Sequence, residues 1–292
     1  MLQVKNTANK LQVLDGRKYH ANSKIAYLMP EDADEADRIQ KQHMVLKYNL
    51  QGNFKAHLRE ELEEGIVVLD SGCGPAAWTF DMAKEFPNSK FHGVDITLNE
   101  FLKGDKPDNC EFQVANISEH IPYPDNTFDY IYQRLLIMGL THDGWDNTLK
   151  EMFRVLKPGG YIELHEPNFY KLSNTGPFVE KLHDKISDML RSRQIPPDIS
   201  LHLEDRTSNA GFFVKQVIMT SMAVNHENKA GELLWQDYRH AYMNIRPIMA
   251  MQNHDWEDIE SYKLHIDACG EEAKEKKTCL NWHTCVAQKP SQ

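Results

Sequence analysis

The chain has no run of apolar residues near the roughly 18 needed to cross a bilayer, so no membrane span is expected. Its first residues lack the charged, apolar and small-residue regions of a secretory leader. Cysteine is sparse: the five residues at 73, 110, 269, 279 and 285 fit neither a zinc spacing nor a disulfide framework. No metal is expected, and the implied compartment is reducing and intracellular, cytoplasmic with the nucleus left open. Basic residues are in deficit, with 33 Lys and Arg against 43 Asp and Glu and a formal net charge of -10. A phosphate backbone needs a basic face, so nucleic acid is excluded as a partner class. Internal repeats, low-complexity tracts and clear linkers are also missing.

An ordered series of strand and helix signals is present. Apolar residues make up 41% of the 292, enough for the core of one large domain with an embedded cap. Ile66 to Leu69 is a β-branched and leucine run bounded by Gly65, the pattern of a buried parallel strand, and Asp70 ends it. Gly72 and Gly74 make a turn that can approach a ligand closely. A helix then starts near Pro75, with Trp78, Met82 and Phe86 on one stripe. Strand, glycine turn and helix build a nucleotide site at the carboxyl end of a sheet. Asn88 to Asp95 reads as a second strand ending in an acid, placed to accept from ribose hydroxyls. A nicotinamide dinucleotide enzyme shares these features, and Gly72-x-Gly74-x-x-Ala77 fits its fingerprint loosely. Cys110 to Asn116 reads as a third strand, Ile121 to Gln133 leads through a fourth, and Val155 to Pro167 contains a fifth. Lys157-Pro-Gly-Gly160 reads as the tight turn before it.

Taken in order from about Gly65 to Pro167, these motifs resemble the class I S-adenosylmethionine-dependent methyltransferases. More widely the chain is similar to fungal methyltransferase-domain proteins of the LaeA-like group, on Gly16-Arg-Lys-Tyr-His20 and Tyr27-Leu-Met-Pro-Glu31 as well. The resemblance implies an α/β, Rossmann-like, seven-stranded and mostly parallel sheet with helices on both faces, here divided as arm and lid helix 1–63, cofactor half 64–167, and cap with last strands 168–292. The last strand, Leu280 to Gln288, is then antiparallel and inserts between the fifth and the sixth, Phe212 to Ser221. The implied cofactor is S-adenosylmethionine, with S-adenosylhomocysteine as product. Gly72 and Gly74 would let backbone amides and the following helix N-terminus approach its methionyl carboxylate. Cys73 lies in the same cofactor-binding turn as a small filler and not a nucleophile, and Asp70 would sit near the ammonium group. A third glycine is common in the family where this chain has Ala76. Asp95 is the ribose acid, Ile96 packs on adenine, Asn116 accepts from the adenine amino group, Ile117 offers its amide, and Gln133 meets the methionyl end.

Outside the cofactor half, Pro30 to Glu35 starts a helix striped by Ala36, Ile39, His43, Leu46 and Leu50, with His43 read as a packing residue. Residues 1–29 read as a polar arm. Trp145, Leu149, Met152, Phe153 and Leu156 stripe the helix before the fifth strand. Phe178 to Leu190 is helical, Ile195-Pro-Pro and Asp205 to Gly211 are loops, Ala230 to Met251 is a Met- and aromatic-rich helix kinked at Pro247, and Asp255 to Lys277 is helical. Tyr19 and Tyr27 in the arm, and Tyr238 and Tyr242 in the cap, are lid and substrate candidates. His165 and His142 are candidate bases, each with a structural role open to it. Two functions follow from the resemblance: methyl transfer to a small molecule such as a secondary metabolite, or a regulatory protein that binds the cofactor and a protein partner. A buried acceptor cavity favours the first, an exposed apolar patch on 230–251 the second.

Overall fold

The computed structural model describes residues 11–20, 27–97 and 106–291. Part of the N-terminal arm is a hairpin, β1 (Leu11–Leu14) and β2 (Arg17–His20), paired antiparallel. Asp15 and Gly16 turn it with φ of 47° and 77°, the left-handed pair that two-residue hairpins prefer. Asp-Gly is a strong local hairpin signal that a reading by polarity passes over; the rest of the arm lies outside the described residues. Helix α1 (Ala33–Asn49) starts where expected, its first turn capped by the Asp32 side chain, which accepts the Glu35 amide at 3.0 Å.

The short helix α2 (Arg59–Glu64) leads into the sheet. Its strands are β3 (Val67–Ser71), β4 (Lys90–Asp95), β5 (Cys110–Val114), β6 (Phe128–Arg134), β7 (Leu156–Pro167), β8 (Phe213–Ala223) and β9 (Cys279–Gln288). Seven strands lie in the order β5-β4-β3-β6-β7-β9-β8. All pairs from β5 to β7 are parallel, and β9 runs antiparallel between β7 and β8. The sheet is the one the resemblance implies.

Strand alternation divides the core. Val68, Tyr130 and Tyr132 face α2 and α3 (Ala77–Glu85), packing on Leu62, Trp78, Met82 and Phe86. Leu69, Ile131, Ile162 and Leu164 face the opposite side, where α4 (His142–Val155) contributes Trp145, Leu149 and Met152. The cap on that side comprises α5 (Pro177–Ser192), α6 (Leu203–Asn209), α7 (Lys229–Ala250) and α8 (Ile259–Lys276). Helix α7 packs against α1 as well as α8, closing the cap over the sheet ends.

Two expectations are corrected. Residues 205–211 are mostly the helix α6, whose short polar sequence carries little helical signal and whose Leu203 and Thr207 are buried by tertiary packing. Lys157-Pro-Gly-Gly160 lies within β7: the register jumps from Phe128↔Leu156 to Tyr130↔Tyr161, and Gly159 takes φ 80° in the bulge. No helix among the described residues is long and apolar enough to cross a membrane.

Candidate active site

A cavity of about 230 Å³ opens at the carboxyl ends of β3, β4, β5 and β6 and continues between α1 and α7. Ligands bind at this end of open α/β sheets because the loops diverge there. The turn after β3 forms its floor. Gly72 and Cys73 donate their amides to the Val94 carbonyl at 2.8 and 3.1 Å, and Gly74 donates to Asp95 Oδ2 at 2.8 Å. All three amides thus have partners inside the protein. A Cβ on Gly74 would meet nothing within 4 Å, whereas one on Gly72 would lie 2.9 Å from Leu136 Cδ2. Ala76 follows at φ 61°, a left-handed conformation that glycine adopts without the Cβ penalty. Helix α3 therefore begins without a side-chain cap, next to the cavity.

The floor carries both signs of charge. Asp70 is buried, and burial pushes its carboxyl up to about 7 against the Thr79 hydroxyl, which donates to Oδ2 at 2.5 Å, and against the Arg134 charge. Burial also raises Asp95, opposed by the amides of Gly74 and Thr97. Arg134 ends β6; its Nη2 donates to His43 Nδ1 at 3.1 Å, and its guanidinium lies 5.9 Å from the Tyr132 ring centroid. Tyr132 in turn stacks on Trp78, with centroids 3.9 Å apart and planes 1° from parallel.

Farther in, the charges are paired with one another. Arg38 donates to Glu35 at 2.6 and 2.8 Å and to Asp237 at 2.6 Å. Gln42 bonds Asp237 at 2.7 Å, and Asn244 bonds Glu35 at 2.7 Å. This network ties α1 to α7. Beside it Tyr27, Phe169, Tyr238, Tyr242 and Ile245 line an aromatic chamber. Phe169 meets Tyr238 edge-on, with centroids 5.5 Å apart.

Residues 62–278 match the family described as a methyltransferase domain, about three quarters of the chain. The chain belongs to the class I S-adenosylmethionine-dependent methyltransferases. Among curated relatives, the N-methyltransferase sirN of Leptosphaeria maculans is 29% identical over 56% of this chain and 58% of its own length. The secondary metabolism regulator laeA of Aspergillus niger is 30% identical over 53% of this chain and 40% of its own. A demethylmenaquinone methyltransferase of a Geobacillus strain is 34% identical over 38% of this chain and 52% of its own. The matches thus span about half the length of these relatives. A solved methyltransferase in complex with the Haloferax volcanii Trm112 methyltransferase activator shares the fold at a TM-score of 0.50 and 17% identity, over 88% of this chain and 95% of that one.

The cavity wall includes Asp70, Gly72, Cys73, Gly74, Asp95, Ile96, Asn116 and Ile117, and also Tyr27, Tyr238 and Tyr242. Asn116 spends its side-chain oxygen locally, accepting from the Ser118 amide at 3.1 Å and hydroxyl at 2.8 Å. Four candidates fall elsewhere. Gln133 is buried with Ile131 on the far face of β6, where it accepts from Ser71 Oγ at 3.2 Å; strand alternation brings Arg134, not Gln133, to the cavity. Tyr19 is a packing residue whose hydroxyl donates to the Asn244 carbonyl at 2.6 Å. His165 is 1% exposed, with Nε2 on Glu163 at 2.5 Å and Nδ1 on Thr284 at 2.8 Å. His142 heads α4, bonded to Arg206 at 3.0 Å. Neither histidine is on the cavity wall. Glu166, the next residue, points to the other face and accepts the Leu136 and Ile137 amides at 2.8 and 3.0 Å, fixing the loop that walls the cavity. Sequence reasoning missed Arg134, Phe169 and the Arg38 network. Arg134 had a signal, because it lies two residues beyond Tyr132 on the same strand face.

Proposed function

We propose that this chain transfers a methyl group from S-adenosylmethionine to a small, neutral and largely apolar acceptor held between α1 and α7. One observation carries the reading: a single cavity joins a floor carrying Asp70, Asp95 and Arg134 at the strand ends to an aromatic chamber beside which Arg38, Glu35 and Asp237 bond one another. The floor fits the cofactor. Asp70 suits its ammonium group, Asp95 its ribose hydroxyls, and a Cβ built on Gly74 would meet only open space. Ile96 and Ile117 offer apolar contact to adenine, and Asn116 retains its amide nitrogen as a donor to the ring.

The cofactor supplies a methyl group activated by an adjacent sulfonium. The work left to the protein is to align an acceptor lone pair with that carbon and to keep water out. Phe169, Tyr238 and Tyr242 do this as rigid walls, and Tyr27 approaches from the segment before α1. No histidine among the described residues lines the cavity. An acceptor that is already nucleophilic, a neutral amine or a thiolate, therefore suits this site better than a hydroxyl that needs a base.

The apolar stripe of α7 supports this reading over a regulatory surface, since Leu234, Tyr238, Tyr242 and Ile245 are all buried. The test is transfer of a labelled methyl group to a panel of apolar amines and thiols, run beside charged hydrophilic acceptors of similar size. Turnover confined to the apolar set is expected. Preference for the charged set would overturn the acceptor class, and failure to bind S-adenosylhomocysteine would overturn the whole reading.

A further inference from the structure

We infer that Arg134 takes the carboxylate of the cofactor's aminoacyl end, and that His43, itself anchored by Asp81, holds the guanidinium in position. The inference deepens the function proposed above and rests on its cofactor assignment.

The strand register sets the geometry. Asp70 of β3 pairs with Tyr132 of β6, and Arg134 lies two residues farther along, on the same face of the sheet. A buried acid and a half-buried guanidinium thus stand side by side at the cavity floor, and the Arg134 charge favours the ionised form of Asp70. An α-amino acid end carries the complementary pair, an ammonium and a carboxylate. The turn amides are less available to the carboxylate, because Gly72, Cys73 and Gly74 bond Val94 and Asp95, and the uncapped N-terminus of α3 adds donors beside Arg134 without a full charge. Arg134 is also uncommitted as a cation. Arg38 and Arg154 each reach a carboxylate, but among the described residues none lies within 4.0 Å of Arg134. A partly desolvated guanidinium without an anion is costly, and a bidentate carboxylate is its best-matched ligand.

Its orientation is also fixed. A guanidinium only donates, so His43 Nδ1 must accept from Arg134 Nη2 at 3.1 Å. The ring proton is then on Nε2, which donates to Asp81 Oδ2 at 3.0 Å. Asp81 is held in turn by Lys47 at 2.6 Å and Asn53 at 3.0 Å. Burial pushes His43 down to about 4, so the ring stays the neutral acceptor this arrangement requires. His43 is a positioning residue in this scheme, linking α1, α3 and β6.

Two ligands separate the carboxylate from the rest of the cofactor: S-adenosylhomocysteine, and 5′-methylthioadenosine, which keeps the nucleoside and sulfur but lacks the aminoacyl group. Calorimetric titration of Arg134→Met should show homocysteine-product affinity falling by roughly tenfold to a hundredfold, the scale of a charge-assisted bond. Methylthioadenosine affinity should stay within about twofold of the parent, because that ligand makes no such bond. Arg134→Lys, which keeps the charge and loses the fork, should lie between parent and Met for the first ligand alone. His43→Phe should lose several-fold on the first ligand, and His43→Gln, which still accepts and donates, should recover most of it. Equal losses on both ligands, or none on either, would overturn the assignment, as would a parent that binds both equally well. A parent that binds neither ligand removes the cofactor reading itself, an outcome separate from a failure of Arg134.

Discussion

Asp95 Oδ2 accepts the Gly74 amide at 2.8 Å, so the acid that ends β4 holds the turn that ends β3. One carboxylate thus shapes the cavity floor and faces the place proposed for the ribose. Hydrogen bonds to a charged group contribute roughly 1.5–3 kcal/mol each. Asp95→Ala should weaken S-adenosylhomocysteine binding by at least about tenfold and also loosen the turn. Asp95→Asn can still accept the Gly74 amide, so it should keep thermal stability near the parent while losing part of the affinity. Titration and melting of both variants check this; parent-like affinity in a folded Asp95→Ala would remove its ribose role.

Asp70 predicts a pH dependence whose sign follows from its burial. Its carboxyl is pushed by burial from an ordinary 3.8 up to about 7. Burial therefore favours the protonated acid: its contribution to stability is full below the ordinary value and is lost as pH rises through about 7. Cofactor binding works the other way, because an ammonium partner needs the ionised form. Affinity for S-adenosylhomocysteine should fall about tenfold from pH 8 to pH 6, with proton release on binding near neutrality. Asp70→Asn should bind weakly at both pH values and lose the dependence. Calorimetry in buffers of different ionisation enthalpy reads the proton directly, and a flat profile for the parent contradicts the assignment.

The sheet was legible because buried strands, glycine turns and acids at strand ends are local signals that repeat in a fixed order. Asp70, Asp95 and the Gly72–Gly74 turn are all on the cavity wall for that reason. Gln133 shows the limit of such reading. Near a strand end, one residue of register decides which face a side chain joins, and Arg134 is the one on the cavity wall. His165 was a plausible base because it ends a strand at the correct edge, yet its partner proved to be Glu163, two residues back on the same strand face. The aromatic chamber was only partly legible. Tyr238 and Tyr242 stand out on α7, but Phe169 and Arg38 join them through a meeting of α1, α7 and the end of β7 that no local pattern encodes.

Glu163 predicts a split between stability and activity. It is fully buried and accepts from the Lys55 and Ala56 amides at 2.8 to 2.9 Å, from Tyr130 at 2.9 Å and from His165 at 2.5 Å. The loop it holds also bonds Trp78 Nε1 through the Asn53 carbonyl at 2.8 Å, supporting the Trp78–Tyr132 stack. Glu163→Ala strands several buried donors at once and should destabilise the fold by about 3–5 kcal/mol, as for one partner removed from a buried pair. His165→Gln keeps one donor and should hold the methyl-transfer rate within about tenfold, short of the 10²–10⁴-fold loss of a true base. Denaturant melts and rates at saturating acceptor decide; a hundredfold loss of rate in a stable His165→Gln would restore a catalytic role.

Phe169 offers a test of the acceptor chamber that leaves the cofactor floor untouched. It is 5% exposed, follows β7, and packs edge-on against Tyr238 of α7, so its ring defines one wall of the space between sheet and cap. Burying a Phe-sized apolar contact is worth roughly 1.5–3 kcal/mol. If the acceptor is an apolar molecule held by these rings, Phe169→Ala should raise KM for a compact acceptor by about tenfold or more. Loss of alignment should lower kcat as well, since a nucleophile held less closely populates fewer in-line poses. Acceptors enlarged by one ring should lose less, because they can fill the vacated volume. S-adenosylhomocysteine affinity should remain within about twofold, since Asp70, Asp95 and Arg134 are unchanged. Steady-state kinetics across a homologous series of acceptors, paired with cofactor titration, separates these outcomes. A uniform loss across all acceptors, or a cofactor affinity that falls in step with KM, would show that Phe169 supports the fold of the cavity and does not measure the acceptor.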